Sequence, residues 1–293
     1  MMQYINCRLG RQLFFIGGNM EKMYHQRRKT DHNKAVVIVY FVLRILVLMT
    51  MISQILNKNY ENVYICLLTL ILFMIPSFVE RRLHIELPDT LEIVILVFIF
   101  AAEILGEIEA YYLTIPYWDT ILHTVNGFLF AAIGFSVVSI LNKDKKIAMQ
   151  LSPFYMAITA FCFSMTIGIL WEFFEWGMDG WFDLDMQKDT VVTKLTTVEL
   201  NPLGDNTPYM VRSIQDVVLI CDGGTRKRVG LGGYLDIGLH DTMIDLLVNF
   251  IGAVIFSLLG YFYVKTRGRG RIAGRFIPKV IDNAGDGDKF TSA

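Results

Sequence analysis

Charge is scarce in this chain. Asp, Glu, Lys and Arg make up 19% of its 293 residues, where soluble domains carry roughly 25%. The 27 bases and 28 acids leave a net charge of −1, so there is no basic field of the kind that holds nucleic acid. Cysteine is nearly missing: four residues and no CxxC pair, which excludes a disulfide-stapled secreted scaffold and a thiolate metal site. A hydrophobic share of 54% excludes intrinsic disorder, and seven prolines cannot make a collagen-like chain. What is abundant is apolar sequence, with a mean hydropathy of +0.44. The composition is that of a polytopic membrane protein.

A crossing needs roughly 20 mostly apolar residues for a hydrocarbon core of about 30 Å. Six segments qualify: 35–56, 62–79, 91–112, 119–141, 151–176 and 242–264. Their runs are continuously apolar rather than alternating, so they predict helices and not a β-barrel. Lys and Arg in the short flanks set the orientation. Lys22, Arg27, Arg28, Lys29 and Lys34 precede the first span, and Arg81 and Arg82 lie between the second and third. Lys143, Lys145 and Lys146 follow the fourth, and Lys265, Arg267, Arg269, Arg271 and Arg275 follow the sixth. The flanks 57–61 and 113–118 hold Lys58 as their one base. Both termini are therefore expected in the cytoplasm, with the long 180–240 segment outside. Cys66 and Cys162 fall within spans, Cys7 on the cytoplasmic side and Cys221 outside, so no two can pair on the outer face.

The expected organisation is a cytoplasmic N-terminal segment 1–34, helices one to five over 35–179, an insertion over 180–240, helix six over 241–265 and a basic, then flexible, tail over 266–293. Residues 1–19 read unlike the rest, and Met20 or Met23 is an alternative start. Within the insertion, 191–200 and 210–221 are rich in β-branched residues, and Asp222-Gly223-Gly224 marks a turn. The expectation is a small β-rich element, with Gly230, Gly232 and Gly233 forming a flexible return. GLGG there lacks the Lys and the strand–turn–helix context of a phosphate loop. The fold class expected is thus an all-α six-helix membrane bundle carrying a small β-rich extracytoplasmic insertion.

Ionisable residues inside spans cost about 2.5–3.5 kcal/mol each on insertion scales and persist when paired, hydrated or useful. Here they gather at one end. Glu103 and Glu107 are four apart in the third span, and Asp119 and His123 four apart at the start of the fourth. Glu172, Glu175 and Asp179 close the fifth, while Asp241, Asp245 and Asn249 open the sixth at intervals of four. Four helices aim acids, one imidazole and one amide at a common outer layer. Oxygen-rich ligands with one imidazole suit a divalent cation. The candidate ligands are Asp119, His123, Glu172, Glu175, Asp241, Asp245 and Asn249; Asp245, Glu172 and His123 are the candidate catalytic groups. Glu103, Glu107 and Asp179 are secondary. Without a metal, the same carboxylates would form a proton relay.

Plainer readings exist for parts of this set. His123 alone reads as an interfacial histidine, and Asp119, Asp179 and Asp241 as helix-end caps. Trp118, Trp171, Trp176, Tyr111, Tyr112 and Tyr117 read as an interfacial aromatic belt. Arg44 needs a partner in mid-span, and Glu103 is at a matching depth. Gly252-Ala253 reads as close helix packing. Caps and pairs do not account for Glu172, Asp245 and His123 together.

At these residues, WDTILHTVNGF (118–128), WEFFEWGMD (171–179) and DTMIDLLVNFIGA (241–253), the chain resembles the YjdF-like bacterial inner-membrane proteins. The likeness covers 35–265 and implies a bacterial cytoplasmic membrane and no assigned activity. A fainter resemblance, at Asp119/His123, Glu172 or Glu175, and Asp245/Asn249/Gly252, is to VanZ-like membrane proteins, some of which are linked to glycopeptide resistance. Three functions remain open at this point. One is a divalent-metal-dependent membrane enzyme acting on a lipid or cell-envelope substrate. Another is a proton- or cation-coupled transporter, though no inverted repeat or broken span is visible. The third is a non-catalytic membrane partner protein that binds through its insertion.

Overall fold

The computed structural model describes residues 34–83, 85–143, 150–267, 270, 272–277 and 279–280. The segment 1–33 with Cys7, the loop bases Lys145 and Lys146, Arg269, Arg271 and the tail beyond 280 lie outside the described residues. Among the described residues, five helices are long and apolar enough to cross a bilayer: Lys34–Leu56, Tyr60–Arg82, Trp118–Asn142, Pro153–Phe182 and Leu239–Lys265. The chain is a mostly helical membrane protein, and large apolar side chains such as Phe41, Ile71, Phe173 and Leu247 cover its outside. Lipid tails solvate such a surface; water does not.

The first crossing, α1 (Lys34–Leu56), is followed by α2 (Tyr60–Leu72) and α3 (Ile75–Leu83), which together make the second. The break between α2 and α3 falls where Pro76 cannot donate to the carbonyl of Leu72. The hydroxyl of Tyr40 donates to the freed carbonyl of neighbouring Phe73. Arg44 was expected to pair with Glu103. Instead its guanidinium lies 4.1 Å from the Tyr40 ring centroid and donates to the Tyr40 hydroxyl at 3.0 Å. A partner one turn away on the same helix is cheaper to hold than one on another helix.

The expected span 91–112 is not one continuous α-helix. After β1 (Ile85–Glu86), α4 (Asp89–Phe100) runs into a π-helical stretch, Ala101–Ile108. Ala110, with φ +56°, then turns the chain into the single turn α5 (Tyr111–Thr114). The wider π winding coincides with Gly106, where the Tyr112 ring occupies the place a Cβ would take.

The centre of the molecule is α6 (Trp118–Lys143), α7 (Pro153–Phe182) and α8 (Leu239–Lys265), running up, down and up. Asn142 ties the first turn between them, accepting from the Leu151 N–H at 2.6 Å. Small residues bring the axes together. A Cβ on Gly127 would strike the backbone carbonyl of Asn249, and one on Gly252 the carbonyl of Thr124. Such close approach is how helices associate in lipid, where burial from water supplies no drive. Below it the interface is apolar: Ala131, Ala132, Phe135, Ala253 and Phe256 are buried, and Phe128 packs edge-on to Phe256 at 5.0 Å. A second core, with Val47, Cys66, Phe73 and Leu96, joins α1, α2 and α4; Leu91 and Leu129 connect α4 to α6.

Between α7 and α8, short antiparallel strands replace the helices. The strand β2 (Val191–Val192) pairs with β7 (Tyr234–Leu235), β3 (Leu195–Thr197) with β4 (Tyr209–Val211), and β5 (Val218–Ile220) with β6 (Arg226–Arg228). The last pair turns at Asp222-Gly223-Gly224, where both glycines have positive φ. Last in order, β8 (Lys279–Val280) pairs with β1.

Gly127→Val should lower stability by about 1–3 kcal/mol by forcing α6 from α8, read as thermal unfolding in detergent. Gly180→Ala, with open space around it, should change stability by no more than about 1 kcal/mol. Equal melting temperatures for the two variants would mean that the close approach at Gly127 does not hold the bundle.

Candidate metal centre

The up–down–up course of α6, α7 and α8 brings the start of α6, the end of α7 and the start of α8 to one end. The polar residues there form layers one helical turn apart. His123 occupies the middle layer, buried, with its two ring nitrogens facing different helices. Nε2 lies 3.5 Å from Asp119 Oδ1, and Nδ1 lies 3.8 Å from Glu172 Oε1. Two groups of side chains share this ring: Asp119, His123 and Asp245, and His123, Glu172 and Glu175. Within each group the ligating atoms all lie within 4.8 Å of one another. Ligands about 2.0–2.2 Å from a common ion lie at most about 4.4 Å apart, so small side-chain adjustments bring either group to coordination distance.

Glu172 is the most telling member. It is 4% exposed, and neither carboxylate oxygen has a hydrogen-bond partner among the described residues. An ionised carboxylate left so would cost several kcal/mol. Glu175, also buried, has one bond, accepting from Trp171 Nε1 at 2.9 Å. Asp245 is 2% exposed. Four carboxyls around one imidazole demand positive charge, supplied by a cation or by protons. The donor set of carboxylate oxygens and one imidazole suits a divalent cation such as Mg²⁺, Mn²⁺ or Zn²⁺.

The other expected residues are placed differently. Asn249 lies one turn deeper than Asp245, accepting from Asn126 Nδ2 at 3.3 Å and wedged against Gly168. It floors the cluster and ties the three helices. Glu103 and Glu107, in the π-helical stretch, join neither group. Asp179 and Asp241 do not cap their own helices; both receive the chain that follows α7. The N–H groups of Met186 and Gln187 donate to Asp179 at 2.6 and 2.9 Å, and that of Lys188 to Asp241 at 2.7 Å. The Gln187 amide also bonds the Thr242 hydroxyl. Met186–Thr190 is thus a strap laced across the mouth of the site.

Asp236 finishes the strap, accepting from the N–H groups of Thr190 at 2.8 Å and His240 at 2.9 Å, and from the His240 ring. Burial pushes this carboxyl up, but the hydrogen bonds outweigh it and hold it below the usual aspartate value. Sequence reasoning missed the strap, along with Asn126, Gly127 and Gly168. Gly127 had a visible signal, since Asn126-Gly127 interrupts an apolar run one turn after His123.

Beside the strap a cleft of about 270 Å³ reaches the cluster, lined by Tyr112, Tyr117, Asp119, Asp241, Ile244 and Asp245 among others. Tyr117 holds φ +62° on its rim, an uncommon conformation for a bulky residue. Of the aromatic residues read as a belt, Tyr117 is 77% and Trp176 63% exposed, whereas Tyr111 packs edge-on to Trp118 at 4.9 Å.

Fold and site together define a helical membrane protein with a buried acidic and histidine cluster that could hold a metal ion. Residues 38–266 match the model of a family described as Predicted membrane protein (DUF2238). The match takes in well over half of the chain, and the protein belongs to that family, whose function is unknown. No curated protein and no solved structure matches the chain.

Asp236→Asn should loosen the strap and speed amide exchange at 186–190 at neutral pH. In the wild type the folded carboxyl is the stronger acid, so its stabilising effect is full above the unfolded value of about 3.9 and lost below it. Measured relative to the intrinsic exchange rate at each pH, exchange should therefore quicken only as pH falls through that lowered value. Identical exchange in the two proteins at pH 7 would show that Asp236 does not hold the strap.

Proposed function

We propose that this chain is a bacterial inner-membrane protein that holds a divalent cation in its acidic and histidine cluster and acts as a metal-dependent enzyme. The substrate class is a lipid or cell-envelope molecule presented at the outer leaflet. In this reading the bundle crosses six times, with α4 and the π-helical stretch as the third crossing and both termini in the cytoplasm. The distribution of Lys and Arg in the short flanks supports that orientation, and the 20 helical residues from Asp89 to Ile108 are long enough for the crossing.

One observation carries the proposal: among the described residues, the two buried oxygens of Glu172 have no hydrogen-bond partner, beside a ring that faces carboxylates with both nitrogens. Asp119 and Asp245 line the cleft, and these two with His123 Nε2 would hold the ion. Glu172 then accepts the Nδ1–H, fixing the tautomer and the ring orientation, as a carboxylate commonly does for a metal-bound imidazole. Glu175 and Asp241 add negative charge around the ion. A bound cation supplies polarisation of a phosphoryl or carbonyl oxygen, or a more acidic water. The cleft beside Asp119 and Asp245 is where a reacting group has access. Below Asn249 the three-helix interface turns to Ala, Gly and Phe, which favours a closed site over a path through the membrane.

The test is elemental analysis of detergent-purified protein after divalent ions are offered, wild type beside Asp245→Asn and His123→Ala. The wild type should retain about one ion per chain, and each folded variant should lose it. Chelation should lower the wild-type melting temperature, since an ion at 100 times its Kd adds about 2.7 kcal/mol. A metal-free wild type that melts identically with and without chelator would overturn the proposal.

A further inference from the structure

At the opposite end of α8 lies a second, unrelated cleft. Leu259, Phe262, Tyr263 and Thr266 follow one another at helical spacing on one face of the last turns of α8. Gly270, Ile272 and Ala273 form the opposite wall of this open groove of about 460 Å³. That wall is anchored rather than loose. Ala273 and Ile277 are buried against the α6–α8 core, and the Phe276 ring packs edge-on to Phe128 at 5.0 Å. Tyr263 fits against Gly270 and Gly274, with 3.3 and 3.4 Å left for a Cβ. The walls are predominantly apolar, while Phe262 and Ile272 are 55% and 59% exposed.

The charge around this cleft has one sign. From 265 to 279 the sequence carries six bases and no acid. Of these, Lys265, Arg267 and Arg275 are described and exposed; the first two flank the lining residue Thr266, and Arg275 follows the lining residue Ala273 by two positions. Lys265 reaches back along α8, its ammonium 5.4 Å from the Tyr261 ring centroid and 3.5 Å from the Tyr261 hydroxyl. An apolar slot at the end of a membrane-spanning helix, rimmed by cations, has the two halves of an anionic lipid's chemistry. Juxtamembrane bases attract an anionic lipid surface, and the slot gives an acyl chain a place that a free anion would not use.

We propose that this cleft is a binding site for an anionic phospholipid, with an acyl chain in the groove between α8 and the residues Gly270, Ile272 and Ala273 and the phosphate met by Lys265, Arg267 and Arg275. The site stands apart from the acidic cluster and does not depend on its metal.

The test is binding of the full chain, purified in detergent, to short-chain phosphatidylglycerol, to phosphatidylcholine of the same chain length and to inorganic phosphate. Phosphatidylglycerol should bind at least tenfold more tightly than phosphatidylcholine, and millimolar phosphate should not displace it. The triple variant Lys265→Gln/Arg267→Gln/Arg275→Gln should lose at least tenfold in phosphatidylglycerol affinity. Arg81→Gln/Arg82→Gln, which removes charge from α3 instead, should bind as the wild type does. Equal affinity for the two lipids, an unchanged triple variant, an equal loss in the α3 variant or displacement by phosphate would each overturn the proposal.

Discussion

The structure depends on how closely α6, α7 and α8 meet at Asn249. The backbone carbonyl of Asn249 fills the space that Gly127 leaves open and its side-chain amide the space left by Gly168, and the amide oxygen accepts from Asn126 across the gap. Ser164 on α7 donates to the Gly127 carbonyl at 2.7 Å one layer away. These contacts set the helix spacing at one level. The residues a turn above, His123, Glu172 and Asp245, then have no freedom to move apart. In a hydrocarbon surrounding, the alternative for each of these polar groups is an unsatisfied one, so the tie and the acidic cluster support one another.

Electrostatics makes the cluster unusual. Like charges on facing helices repel, and burial strengthens the repulsion by lowering the effective dielectric. A bundle held by close packing can hold such a group only if something offsets the charge. Asp179 and Asp241 meet that need locally through backbone N–H groups of the strap. Glu172 does not, and it lies deepest on α7. The unsatisfied charge is thus concentrated on the inner side of His123, while the open cleft touches the outer side. One ring separates a closed acidic half from an accessible one.

Much of this was legible in the amino-acid sequence. Apolar run lengths mark five of the helices, because a membrane crossing leaves a long, simple signal. The spacing of four between Asp119 and His123, and between Asp241, Asp245 and Asn249, placed them on shared faces, since helical periodicity is local. The hairpin at Asp222-Gly223-Gly224 was equally local, a matter of positive φ. What escaped the reading depends on distant parts of the chain. Nothing near Asp179 announces that residues 186 and 187 return to it, and nothing near Asn249 announces glycines on two other helices. The π winding over Ala101–Ile108 also escaped, because it requires the Tyr112 ring lying against Gly106. Arg44 is the instructive exception: its partner Tyr40 was four residues away, but attention to charge favoured Glu103.

The pairing of β2 with β7 has a consequence of its own. Val192 and Tyr234 sit opposite each other, so the chain leaves the bundle and re-enters it at a single point, like a loop drawn through a buckle. Everything from 193 to 233 hangs from that buckle. The entropy of closing such a loop grows only with the logarithm of its length, about 0.6 kcal/mol per doubling. A longer or shorter appendage on the same buckle would therefore change the cost of closing it little, and leave the helix ends where they are.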